Sequence, residues 1–83
     1  MRATVLVRPK EGILDPQGEA VRGGLDHLGF DVREARVGRL IDLDVEAATV
    51  ADAREAVERM CQSLLANPLI ESYEIEIDER EPA

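Results

Sequence analysis

The sequence contains no tryptophan, one phenylalanine (Phe30) and one tyrosine (Tyr73). It therefore lacks the row of aromatic faces on which the bases of a single strand stack. Positive charge is scarce as well: ten Lys and Arg stand against eighteen Asp and Glu, for a net charge of -8. Displacing the counterions of a duplex takes clustered cations, and so does holding an anionic bilayer. Neither nucleic acid nor a membrane is an expected partner. Cys61 is the only cysteine, which excludes an intrachain disulfide and fits a reducing compartment. No apolar run approaches the roughly 20 residues that span a bilayer, and residues 1–8 alternate instead of building the apolar stretch of a secretion signal. The expected location is cytoplasmic.

Motifs that announce chemistry are missing too. Neither the dinucleotide-binding Gly pattern nor a phosphate-cradling loop ending in Gly-Lys-Ser/Thr occurs, and residues 12–18 resemble the latter only in glycine content. His27 is the sole histidine and lies near the end of a helical pattern, where a cation favours the helix dipole. Cys61 sits on an apolar helical stripe with no acidifying cation beside it, as a packing thiol does. Nothing groups a nucleophile, a base and an oxyanion site. No catalytic, cofactor-binding or metal-ligating residue is expected.

At 83 residues the chain makes one domain, 1–83, with a frayed charged tail over 79–83. A chain this short buries only about 60–65% of its unfolded surface, and association is one way to gain more. Ala3, Val5 and Val7 alternate with Thr4, Leu6 and Arg8, which predicts a strand ending at Pro9. Asp15 before Pro16 is a helix start: a carboxylate at the cap and a ring in the first turn. Val21, Leu25 and Leu28 follow at helical spacing, and Gly29 suits a left-handed stop. Gly18, Gly23 and Gly24 weaken this helix or mark close backbone approach. A second helix starts at Thr49, capped towards Asp52, and carries a stripe of Ala53, Val57, Met60, Cys61, Leu64 and Leu65. Pro68 ends it near Ala66. Ile70, Tyr73, Ile75 and Ile77 form a last strand.

Between the helices, Ala35, Val37, Ile41, Leu43 and Val45 keep a period of two through Gly38. Either a hairpin turns near Gly38 or one long bent strand covers residues 32–46. No Asn-Gly or Asp-Gly turn is present, which favours the long strand. About 13 residues at roughly 3.3 Å each would span some 43 Å, too long for so small a sheet. Its overhang calls for a second copy, as a dimer or tetramer. The fold class is α+β: an antiparallel sheet with two helices on one face, in the order strand, helix, long or split strand, helix, strand. A split middle strand gives the ferredoxin-like order. Arg33, Arg36 and Arg39 form a small basic patch, either paired with Glu34, Asp42 or Asp44 or facing an anionic partner.

Several segments together resemble the PurS family: residues 10–18 (Lys-Glu-Gly-Ile-Leu-Asp-Pro-Gln-Gly), Leu25 with Leu28-Gly29-Phe30, Arg36-Val37-Gly38-Arg39, and residues 60–71 with Tyr73. Arg39 stands where Lys is more usual. The resemblance implies a small accessory subunit of phosphoribosylformylglycinamidine synthase, an ATP-dependent C–N ligase complex of purine biosynthesis. Its partners would be a synthetase, PurL, and a glutaminase, PurQ. ATP and magnesium would sit on the synthetase, and the small subunit would bridge the two and help ammonia pass. The partner contacts it implies are Lys10, Asp15, Pro16, Gln17, Gly18, Arg36, Arg39, Asn67 and Pro68. The other reading is a stand-alone ferredoxin-like regulatory dimer that binds a small metabolite.

Overall fold

The computed structural model describes residues 1–79. The order is β1 (Arg2–Pro9), α1 (Pro16–His27), β2 (Arg39–Asp44), α2 (Val50–Met60), a π-helical turn (Cys61–Leu65) and β3 (Glu71–Asp78). The three strands form one antiparallel sheet in the order β2-β1-β3. From residue 80 on, the frayed tail expected over 79–83 lies outside the described residues.

The alternation in β1 becomes a two-faced strand. Ala3, Val5 and Val7 are buried on one face, with Val5 between Ile41 and Ile75 and Ala3 between Leu43 and Ile77. Val45, Val57, Cys61 and Ala66 complete the core on that side. Each fully buried valine gains about 1.5–3 kcal/mol over exposure. The other face carries Thr4, Leu6 and Arg8 with Leu40, Asp42, Glu74 and Glu76.

α2 supplies the cover. Thr49 Oγ1 accepts from the Asp52 amide at 3.1 Å, and Ala53, Val57 and Cys61, four apart, are fully buried. The expected stripe is narrower than its sequence. In the π-helical turn the Ala66 amide reaches back five residues to the Cys61 carbonyl at 3.0 Å. Leu65 and Ala66 turn inward, while Leu64 is exposed.

α1 starts as the sequence predicts, with Asp15 at its cap and Pro16 in its first turn. It stops at Gly29, whose φ is +96°; the Phe30 amide bonds the Leu25 carbonyl at 3.0 Å and the Gly29 amide bonds Asp26 at 3.0 Å. Its only buried residue is Gly18.

The middle segment departs from expectation. Neither a long strand over 32–46 nor a hairpin forms, because only Arg39–Asp44 joins the ladder. Val7 pairs with Arg39, so residue 37 falls level with Pro9, which has no amide hydrogen to give. Residues 31–36 lie beyond the end of β1 and find no strand to pair with. The period of two survives as burial: Ala35 and Val37 are half-buried, and Glu34, Arg36 and Gly38 are exposed. Three strands rather than four make up the sheet of the described residues, so the split-strand ferredoxin order is not formed.

Candidate functional site

Three segments far apart in sequence meet where β1 ends. The first is the connector after Pro9. The Lys10 amide bonds the Ile70 carbonyl at 2.9 Å, and Lys10 Nζ bonds the Pro68 carbonyl at 2.7 Å. The second is the turn after α2. Asn67 Oδ1 accepts from the Leu69 amide at 3.2 Å, and the Asn67 carbonyl accepts from Glu71 at 2.8 Å and Ile70 at 3.1 Å. Asn67-Pro68 thus closes one helix and launches β3.

The third segment is residues 34–39, and Arg39 locks it to the second. Its Nη1 donates to Glu71 Oε2 at 2.9 Å, and its Nη2 donates to Glu71 Oε1 at 3.2 Å and the Leu65 carbonyl at 2.7 Å. Glu71 Oε1 also accepts from the Asn67 amide at 2.8 Å. The Arg39 guanidinium first, and then that amide, hold the Glu71 carboxyl below the usual glutamate range. This fork uses two nitrogens at once, which a lysine ammonium reproduces poorly. Pairing of Arg39 with Glu34, Asp42 or Asp44 is therefore corrected to pairing with Glu71. Arg36 does approach Glu34, with 3.9 Å between Nε and Oε1.

Asp15 fastens α1 to the same place. Its Oδ1 accepts from the Gly18 amide at 3.0 Å, and its Oδ2 accepts from the Val37 amide at 2.9 Å. These two backbone bonds, Gly18 first, lower its pKa. Gly18 has no room for a side chain: an added Cβ would run into the Ala35 carbonyl oxygen. Pro16 and Gln17 are exposed beside it.

A groove of about 480 Å³ runs between these segments, with Ile13, Leu14, Gln17, Arg39, Ile70 and Glu71 in its walls. Leu14 is 86% exposed. Lys10, Asp15, Arg39 and Glu71 already hold one another or backbone, which makes a poor proton relay. Elsewhere, burial first and Glu58 second push the Cys61 thiol up, so it stays protonated. Among the described residues, no group of three or more His, Cys, Asp or Glu is placed to hold a metal, and no helix is long and apolar enough to cross a membrane.

The structure brings together Lys10, Asp15, Pro16, Gln17, Gly18, Arg36, Arg39, Asn67 and Pro68 at one end of the sheet. Sequence reasoning missed Glu71, which ties two of the segments. Its signal was its place four residues after Asn67.

The PurS family model, described as phosphoribosylformylglycinamidine (FGAM) synthase, matches residues 2–79. The chain belongs to the PurS family. It is 45% identical over 83 residues to the phosphoribosylformylglycinamidine synthase subunit PurS of Synechocystis sp., covering 99% of this chain and 81% of that one. The crystal structure of Methanocaldococcus jannaschii PurS superimposes with a TM-score of 0.84 at 40% identity, over 96% of this chain and 98% of that one. A chain in the structure of PurLQS from Thermotoga maritima does so with a TM-score of 0.82 at 34% identity, over 90% of this chain and 93% of that one. The PurS structures share this chain's α+β fold. These relatives favour a synthase subunit over a stand-alone regulatory module.

Proposed function

We propose that this chain is the small, non-catalytic subunit of phosphoribosylformylglycinamidine synthase in purine biosynthesis, working in the cytoplasm. It bridges a PurL synthetase and a PurQ glutaminase. The complex uses ATP and glutamine to convert formylglycinamide ribonucleotide to formylglycinamidine ribonucleotide. The family match across nearly the whole chain carries this reading. ATP and magnesium belong to the synthetase, and the small subunit helps ammonia pass between the larger ones. The cross-tied end that holds Lys10, Asp15, Arg39 and Asn67 is the surface offered to them, because exposed connectors positioned by a rigid scaffold commonly bear contacts.

The subunit also associates with itself. Its radius of gyration is 16.0 Å, against about 12 Å for a compact domain of this length, and it is only 14 Å thick. Such a flat chain leaves apolar side chains bare on α1 and on the sheet.

Gel filtration of the synthetase and glutaminase, with and without this chain, tests the reading. A ternary complex is expected only with the chain present. Full assembly of the two large subunits without it would overturn the bridging role.

A further inference from the structure

We propose that Glu71 is a positioning residue for assembly: its carboxylate sets the shape in which residues 67–70 meet the larger subunits. This deepens the subunit reading above and rests on it. The turn has little packing to shape it. Residues 67–70 are all exposed, and Leu69 is 84% exposed. Polar ties hold it instead. On one side Lys10 holds the Pro68 and Ile70 carbonyls. On the other side the ties converge on one carboxylate. Glu71 Oε1 accepts from the Asn67 amide at 2.8 Å and from Arg39 Nη2 at 3.2 Å, while Oε2 accepts from Arg39 Nη1 at 2.9 Å. The same guanidinium reaches the Leu65 carbonyl at 2.7 Å. The end of the π-helical turn, the connector after it and the start of β2 are thereby fixed to one another.

The fold does not depend on this side chain. The strand ladder is made of backbone and places Glu71 opposite Pro9 whatever side chain stands there. What the carboxylate decides is where Leu69 sits, because the Leu69 amide bonds Oδ1 of Asn67, the residue whose own amide Glu71 holds. The Glu71 side chain is only 17% exposed, and bonds to an ionised acceptor shielded from water are the strong ones. A contact residue fixed before binding loses less freedom on binding, and so binds more tightly. Glutamine at this position keeps the size, offers one acceptor oxygen instead of two, and sets two N–H donors among those of Arg39 and Asn67.

Titrating the chain into synthetase and glutaminase supplied with ATP, substrate and glutamine tests this, with circular dichroism and thermal melts to confirm that each variant folds. The readouts are the chain concentration that gives half the maximal rate and the maximal rate itself. Glu71→Gln is expected to raise the first about tenfold and leave the second unchanged. Simple destabilisation does not produce that split in a variant that is folded at the assay temperature. Leu69→Ser keeps every tie and should raise the same concentration. Combined with Glu71→Gln it should add less than about threefold more, because both act through one turn. The swapped pair Arg39→Glu with Glu71→Arg restores opposite charges without the bonds to the Asn67 amide and the Leu65 carbonyl, and should stay as weak as Glu71→Gln. An unchanged titration of Glu71→Gln, a maximal rate that falls at unchanged half-saturation, recovery in the swapped pair, or effects of Leu69→Ser and Glu71→Gln that multiply in full overturns the proposal. If the original chain does not raise the glutamine-dependent rate at all, the subunit reading itself fails. If it does and Glu71→Gln titrates like it, only the role of Glu71 fails.

Discussion

Val57 in α2 is fully buried, whereas Leu28, at the end of α1, is 71% exposed. Both lie on apolar stripes with helical spacing, and both helices are capped by a side-chain oxygen. The difference lies in what each stripe meets. α2 falls on a sheet face that presents Ala3, Val5 and Val7, and its stripe closes a core. α1 is fastened by Asp15 and Gly18 at its first turn, and along the rest of its stripe Leu25 is only half-buried while Val21 and Leu28 are exposed. Amphipathicity says that a helix has a face to bury, and only the chain's path says whether the same copy buries it. The half holding α2 is a domain core; the half holding α1 leaves Val21 and Leu28 exposed.

The largest effect that would sharpen this contrast is a charge placed in each stripe. Val57→Asp buries an unpaired carboxylate and should cost about 4 kcal/mol or more in chemical denaturation. Leu28→Asp should change the stability of the isolated chain by no more than about 0.5 kcal/mol. Similar losses from both would erase the distinction.

The glycines of α1 come next. Gly18→Ala drives a Cβ into the Ala35 carbonyl and should cost about 1–3 kcal/mol. At Gly23 an added Cβ meets nothing within 4 Å. Gly23→Ala should therefore stabilise the chain by about 0.5–1 kcal/mol, and equal signs in thermal melts would refute the packing argument.

Cys61→Ala removes a buried sulfur from the core and should cost about 1 kcal/mol, with the activity of the assembled complex retained. Lost turnover in a variant that folds and assembles would give the thiol a role in chemistry.

The smallest effect is electrostatic. Glu71 and Asp15 both have pKa values lowered by folding. Their contribution is complete above the ordinary carboxylate range and falls away as pH drops through that range towards the lowered values. Acid titration of Glu71→Gln should show a shallower loss of stability than the original chain. Parallel curves would mean that the fork with Arg39 adds nothing to folding.

Local signals were legible and long-range ones were not. Alternation placed β1 and β3, the Thr49 cap and the Ala53-Val57-Cys61 spacing placed α2, and Asp15-Pro16 with Gly29 placed α1. Residues 31–38 misled because burial alternates along any extended segment. Ladder pairing depends on where the neighbouring strand stops, and that information sits at Pro9, more than twenty residues earlier. Arg39 misled for a related reason: candidate partners were sought nearby, and its carboxylate is Glu71, 32 residues on. The PurS-like segments could be recognised one by one, but that they meet at one end followed only from the antiparallel register.

The most direct test of a bridging subunit compares nitrogen sources. Synthetase and glutaminase are assayed with and without this chain, first with glutamine and then with free ammonia. Two active sites held together capture ammonia before it escapes, and free ammonia bypasses that transfer. Omitting the chain is expected to depress the glutamine-dependent rate strongly and the ammonia-dependent rate little. A full glutamine-dependent rate without the chain, or an equal fall with both nitrogen sources, would contradict it.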